Sequence, residues 1–402
     1  IKRLTGGWLN WGKIRGSYGK SGQTFTSAYL AHGLMNIMDK SFFGKTGITT
    51  DKPVSPYLTW EKTRQYDLGL DMDMFNYRLN VKLDYYYKYT SSLIYDIPIP
   101  GSLYAFGAQV ENAMEISNEG LELELQADIL RESAVSWRMK FNMARNWNRF
   151  EKSYSGKDVV DGDGTLLVVG RPLNGLYVWA HRGYYNSDAE VPRLYKIDGQ
   201  EIYFNGVATN GISGAVGDYR LLDLDGDGNP DSYYAGSPLP LAHGGWVNEL
   251  MWKNFDLNVL VNFTIGRKMI NNRMGLGFSR QSEDGHLTKL FDYRKLRPWD
   301  GVNKKPNAPA WGNSLSMNTD SAIEKVHHLA LKQITLGYNL PDRISKKAGL
   351  SGVRFFLTAE NLFYLSNYSG GNPEVVNIYT GRDNGDTYPL PRKYTLGLTL
   401  NF

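Results

Sequence analysis

The segment "DLDGDGNPD", Asp223–Asp231, sets carboxylates on alternate positions at Asp223, Asp225 and Asp227, followed by Gly228, Asn229 and Asp231. Oxygen donors at this spacing match the first part of an EF-hand loop. Side chains would serve at the first, third and fifth positions, the Asn229 carbonyl at the seventh and Asp231 at the ninth, with Gly228 at the sharp turn. Three carboxylates this close repel one another unless a cation sits between them, so the expected occupant is a structural Ca2+. Tyr234 stands where the bidentate Glu would close the shell, so a complete site would recruit a ligand from elsewhere. Nothing around the loop reads as the two flanking helices.

Other chemistry is excluded more firmly. Gly19-Lys20-Ser21 lacks the upstream Gly of a phosphate loop, where Ile14 stands instead, and no helix follows. The six His show no metal-ligand spacing, and consecutive His327 and His328 would point to opposite faces of a strand. There is no Cys, hence no disulfide, thiolate ligand or Cys nucleophile, and no nucleophile elbow appears. The expectation is a protein without catalytic residues. The charge balance, 45 basic against 41 acidic residues, gives no basic surface for nucleic acid.

What must hold such a loop is a set of strands. Apolar and polar residues alternate through most of the chain, with period two rather than a helical period. In "RLNVKLDYYYKY", Leu79, Val81, Leu83, Tyr85, Tyr87 and Tyr89 share one face; Asn80, Lys82, Asp84, Tyr86 and Lys88 share the other. The preceding "QYDLGLDMDMF" alternates likewise, and only "FNYR" separates the two, as in a tight hairpin. Repetition of the pattern predicts about ten strands, at residues 8–19, 61–74, 78–90, 118–128, 135–148, 245–253, 255–266, 327–339, 352–361 and 391–402. In "HLALKQITLGY" the alternation slips between Leu331 and Ile334, which predicts a bulge or a change of register.

The connections alternate between short, near residues 75, 131, 254 and 345, and long, as in 20–60, 91–117, 149–244, 267–326 and 362–390. Short turns on one side and long loops on the other predict an all-β, transmembrane antiparallel barrel segment with its short side periplasmic. Trp8, Trp11, Tyr89, Trp137, Trp147, Trp246 and Trp252 fall near the ends of apolar faces, as interfacial girdles do. Strands of roughly 10–13 residues are too long for an ordinary soluble sandwich. The inward charges Lys13, Arg15, Asp67, Asp71, Asp73, Lys82, Asp84, Glu122 and Glu124 mix both signs, as a hydrated wall of ion pairs would. Tyr233, Tyr234, Trp299, Trp311, Tyr364 and Tyr368 are loop aromatics that could stack on a substrate or pack the loops together.

The segments "WGKIRGSYGKSGQ", "LTWEKTRQYDLGLDMDMFNYRLNVKLDYYYKYTSSLIYDIPIP", "ISNEGLELEL", "DLDGDGNPD", "LKQITLGYNLP", "AENLFYLSNYSGGNPEV" and "YPLPRKYTLGLTLNF" occur in this order. Together they resemble the C-terminal part of SusC/RagA-type TonB-linked outer-membrane transporters, over nearly the whole chain. Terminal Phe402 after an alternating strand resembles the signal for barrel assembly. The resemblance implies that residues 1–402 are the last part of a 22-stranded barrel, whose plug and first strands are not in this sequence. Ten strands alone would leave two bare edges in lipid, so partner strands are required.

The implied activity is TonB-dependent import of oligosaccharides or peptides in the outer membrane of a Gram-negative bacterium. The implied partners are a SusD-like surface lipoprotein as lid, the TonB complex acting through the absent plug, and the surrounding lipid and lipopolysaccharide. The alternative is a non-transporting barrel that scaffolds a surface or secretion complex.

Overall fold

The computed structural model describes residues 7–24, 35–50, 53–100, 102, 107–160, 166–191, 193–195, 201–203, 216–222, 224, 231–272, 297–302, 305–310, 319–347, 349–385 and 387–402. Ten long strands carry the fold among these residues: β1 (Leu9–Gln23), β2 (Glu61–Met74), β3 (Leu79–Pro98), β4 (Ala108–Leu130), β5 (Val135–Lys152), β6 (Ala242–Trp252), β7 (Phe255–Asn271), β8 (Ile323–Asn339), β9 (Gly352–Ser366) and β10 (Lys393–Asn401). The ten strands lie where the alternation put them. Several run further than it foretold, to Gln23, Pro98, Lys152, Asn271 and Ser366 at their loop ends. No described helix is long and apolar enough to cross a membrane.

The first of two compact units comprises residues 1–173 and 244–253. Here β1, β2, β3, β4 and β5 pair in chain order, antiparallel throughout, and β6 joins the far side of β5. Through the middle of the strands the register gathers mostly apolar residues on one face and polar residues on the other. Ile14, Leu70, Leu83, Leu123 and Met143 stand side by side on one face, two residues from the row Gly16, Leu68, Tyr85, Leu121 and Arg145. Between these rows the opposite face carries Arg15, Gly69, Asp84, Glu122 and Ala144. A one-residue slip of any strand would carry its apolar set onto the polar face, so the pattern itself fixes the pairing. The turn joining β2 and β3 puts Phe75, Asn76 and Tyr77 at φ of 54°, 57° and 61°, and Arg78 N donates back to Met74 O at 3.0 Å.

The second unit comprises residues 174–243 and 254–402. β7, β8, β9 and β10 pair antiparallel in that order, and the short strand Arg382–Asp383 lies parallel to the end of β7. Its core lies at the loop ends of the strands, where Met269, Val326, Tyr368 and Val376 form one buried cluster and Leu176, Val178 and Ile270 another. At that end both faces of β7 are covered, since Met269, Ile270 and Asn271 are all buried. The expected slip in β8 is present. Its register against β9 breaks between Leu331 and Gln333, and against β7 at the partners Leu260 and Val261.

Candidate functional site

The polar face of the first unit is a lattice of ion pairs and hydrogen bonds. Arg15 donates from Nε to Asp71 Oδ2 at 2.8 Å and from Nη2 to both Asp71 Oδ1 at 2.9 Å and Asp84 Oδ1 at 2.8 Å, joining three strands through one guanidinium. Gly69, the neighbour of Arg15 across the ladder, makes this possible. A Cβ there would come within 2.6 Å of Arg15 Cζ and 2.5 Å of Asp84 Oδ1. Nearby, Ser17 and Gln65 both donate to Asp67, Asn80 donates to Asp73, and Lys82 pairs with Glu124 at 3.5 Å. Arg138 with Asp128 and Lys140 with Glu249, at 2.7 and 2.6 Å, extend the row across β4, β5 and β6. Of the inward charges read from the sequence, Arg15, Asp71, Asp84, Lys82 and Glu124 are therefore ion-paired, while Asp67 and Asp73 are held by neutral donors.

The second unit repeats the device. Arg354 reaches Asp256 Oδ2 at 2.5 Å over Gly337, where a Cβ would meet the same two side chains. Higher on the same strands the bulge alters what the wall presents. Lys332 falls at the slip, so it and Gln333 no longer alternate, and Lys332 turns to Glu374 in the β9–β10 connection. Glu374 Oε2 accepts from Lys332 Nζ at 3.2 Å, and its Oε1 lies 3.7 Å from His328 Nε2. The polar contact with His328, reinforced by Lys332, holds the Glu374 carboxyl below the usual range, against the opposing cost of burial. Pro373–Val375 forms a single 3-10 turn capped by Asn372, whose Oδ1 accepts from Glu374 N at 2.9 Å.

A cavity of about 220 Å³ opens beside this cluster, lined by Ala330, Lys332, Asn361, Tyr364, Glu374 and Arg392, with Leu362, Pro389 and Leu390 as apolar walls. Among the described residues Arg392 has no hydrogen-bond or ion-pair partner. The cavity thus combines a free guanidinium, an amide, a phenol ring and apolar surface, which suits a polar ligand carrying carboxylate or hydroxyl groups.

Arg267 organises the loops above. Only 5% exposed, it donates to four backbone carbonyls: Pro238 at 3.1 Å, Pro373 at 3.3 Å, Val376 at 2.9 Å and Asn377 at 2.5 Å. A register break between Thr264 and Arg267, with Gly266 at φ 73°, turns its side chain into this carbonyl cage. A further group joins the long connection between β5 and β6 to Asp320, just before β8. Asp320 accepts from Tyr233 at 3.2 Å and bonds His181, while Tyr219 stacks on Tyr184 with centroids 5.3 Å apart. Burial pushes the Tyr184 and Tyr219 phenols well above their ordinary value, so both stay neutral hydrogen-bonding groups.

Of the proposed metal ligands, Asp223, Asp225, Asp227 and Asn229 lie outside the described residues. Asp231 is described. Its Oδ2 accepts from Leu224 N at 2.5 Å, and its backbone N donates to Leu222 O at 2.9 Å, so the two ends of the loop are tied together. Of the loop aromatics, Tyr233, Tyr234, Trp299 and Tyr368 make loop contacts: Tyr234 with Tyr177, Trp299 Nε1 with Asn186, and Tyr368 with Asp383. Tyr364 lines the cavity, and Trp311 is outside the described residues. The sequence did not single out Arg267 or Glu374. Its one relevant signal was the slip in β8, which coincides with Lys332.

The family model "TonB dependent receptor-like, beta-barrel" matches residues 3–259, more than half of the chain. The chain belongs to the TonB-dependent receptor β-barrel family. It is 30% identical over 417 residues to TonB-dependent receptor P26 of Formosa agariphila, covering 97% of this chain and 40% of that protein. TonB-dependent receptor SusC of Bacteroides thetaiotaomicron is 26% identical over 409 residues, 97% of this chain and 37% of SusC. The solved structure of the RagAB peptide transporter superposes with a TM-score of 0.77 at 23% identity, over 98% of this chain and 41% of that one. The chain therefore spans about two fifths of the length of these relatives. Its fold is the antiparallel wall of a SusC/RagA-type barrel, and its place is the outer membrane. The family is one of receptors and transporters rather than an enzyme class.

Proposed function

We propose that residues 1–402 form the C-terminal part of the barrel of a TonB-dependent importer that carries oligosaccharides or peptides across the outer membrane beneath a SusD-like lipoprotein lid. The observation that carries this reading is the 30% identity to TonB-dependent receptor P26 over 97% of the chain. The likeness in fold to a peptide transporter agrees with it. The plug, the TonB-contacting segment and the first strands would belong to the rest of the protein. An ion-paired polar wall suits this role, because a hydrated lumen needs charges that neither trap nor repel a neutral cargo. The cavity beside Arg392 would contact a carboxylate or sugar hydroxyl on the way in.

The "DLDGDGNPD" loop would hold Ca2+ through Asp223, Asp225, Asp227, Asn229 and Asp231, bracing an irregular extracellular connection. Asp231 supports this in part, since its bonds already close the loop at both ends.

The test is deletion of the gene followed by uptake of labelled oligosaccharide and peptide pools, with and without a protonophore, and affinity purification of the full-length receptor. Loss of protonophore-sensitive uptake and co-purification of a surface lipoprotein are expected. Unchanged uptake with loss of a surface or secretion complex would favour a scaffolding barrel instead.

A further inference from the structure

The polar face of the first unit carries an aromatic ring laid against the wall. Tyr86 on β3 stands opposite Gly120 on β4, and its ring lies over that glycine. A Cβ at Gly120 would come within 2.5 Å of both Cε1 and Cζ of the ring. Gly120 is buried while Tyr86 stays half-buried, so one face of the ring meets backbone and the other faces the lumen. Covering a strand glycine is a structural role, and Phe356 on β9 performs it too, over Gly397 on β10.

The two rings differ in what surrounds them. Phe356 has the Arg354 guanidinium 5.6 Å from its centroid, and that arginine is already committed to Asp256. Around Tyr86 the polar groups are uncommitted. Asn118 and Glu122 flank Gly120 on β4, each about 6.6 Å along the strand, and Asn146 stands opposite Gly120 on β5, about 4.8 Å across. Among the described residues the side chains of Asn118, Glu122 and Asn146 have no hydrogen-bond or ion-pair partner, and the last two are exposed. Lys88 Nζ lies 5.7 Å from the Tyr86 centroid, near the outer limit of a cation–π contact, so its charge is free to turn to a ligand. By contrast Asp67, Asp84 and Arg15 on the same face already hold partners.

Resting on the importer reading, we propose that Tyr86, Asn118, Glu122 and Asn146 form a subsite for one neutral sugar ring of an oligosaccharide in transit. A pyranose turns its weakly positive C–H groups to the negative face of an aromatic ring. Its neighbouring hydroxyls each donate and accept, and an Asn amide or a carboxylate meets such a pair with two atoms side by side. A cargo carboxylate at the same place would face Glu122, with Asp67 and Asp84 on β2 and β3. A peptide offers no comparable ring of paired hydroxyls. The glycine cover holds the ring flat, and the open face is left to the sugar.

The test uses the full-length receptor purified in detergent, with neutral gluco-, manno- and xylo-hexaoses as probes and a tripeptide pool as the contrasting cargo. Affinity is read by isothermal titration calorimetry, and folding by heat-modifiable migration. A ring contact or a hydrogen bond corresponds to roughly three- to tenfold in affinity. Tyr86→Leu, Asn146→Ala and Glu122→Gln should each weaken binding of whichever hexaose the wild type takes by that factor, and Tyr86→Phe should keep it. Phe356→Leu, which removes only a glycine cover, should leave affinity unchanged. A folded wild type that binds the peptides and none of the hexaoses overturns the subsite alone. So does equal loss in Tyr86→Leu and Phe356→Leu, or unchanged affinity in Asn146→Ala and Glu122→Gln. A folded receptor that binds neither class, in a strain whose gene deletion leaves both uptakes intact, overturns the importer reading together with it.

Discussion

Replacing Arg267 by Met tests whether one guanidinium holds the extracellular loops of the second unit. The side chain is 5% exposed and its donors serve carbonyls from two separate segments, Pro238 and Pro373–Asn377. Met fills a similar length but leaves four acceptors without donors. A hydrogen bond to a charged group contributes about 1.5–3 kcal/mol, so four would total roughly 6–12 kcal/mol if the carbonyls stayed dry. They need not, because the loops can swing outward and recover water. The realistic cost is that of breaking a buried charged cluster, about 3–5 kcal/mol of local opening free energy. That corresponds to roughly a hundredfold to a few thousandfold in the opening equilibrium.

Hydrogen exchange on the full-length receptor reads this directly. The amides of Lys268, Ile270 and Gly381 report it, since they donate to Ser237, Gly381 and Asn377 across the same joint. In the Met variant their protection should fall by that factor, while strand amides of β8 and β9 below the bulge keep theirs. Lys at the same position should restore part of the protection, having three donors but no planar fork. Unchanged protection in Arg267→Met would refute the latch, whatever happened to uptake.

Glu374 adds a pH dependence with a defined sign. Its carboxyl is held below the ordinary range, so its contribution to loop stability is complete above about pH 4.5 and disappears as pH falls through its lowered value. Pulse proteolysis with pepsin should show the 372–376 segment opening only in that acid window, and Glu374→Gln should give a loop that is weaker and flat with pH. Face assignment is tested by Leu83→Arg against Lys82→Leu. The first puts a cation in the middle of the apolar band at about 2–4 kcal/mol and should impair assembly, whereas the second should leave heat-modifiable migration intact. The metal loop is tested by elemental analysis and by protease sensitivity around residues 222–231. An Asp225→Ala, Asp227→Ala variant should lose bound calcium and calcium-dependent protection, and unchanged loop order would sink the brace.

Alternation alone determined which face of each strand meets lipid, the order of the pairs and the slip in β8, because period-two burial leaves a direct trace in residue type. It misjudged where strands end. Beyond the hydrocarbon the ladder continues on backbone hydrogen bonds alone, so β4 begins at Ala108 rather than 118 and β7 runs to Asn271 rather than 266. No side-chain pattern is required there, and none was present to read. Charges on the inner face were legible as a class, but their pairing was not. Arg15 bridges Asp71 and Asp84 only because register sets Gly69 between them. Arg267 and Glu374 were silent for a related reason. A lone Arg near the end of a strand and a lone Glu in a loop acquire their roles from carbonyls and bases dozens of residues away, and only tertiary structure brings those together.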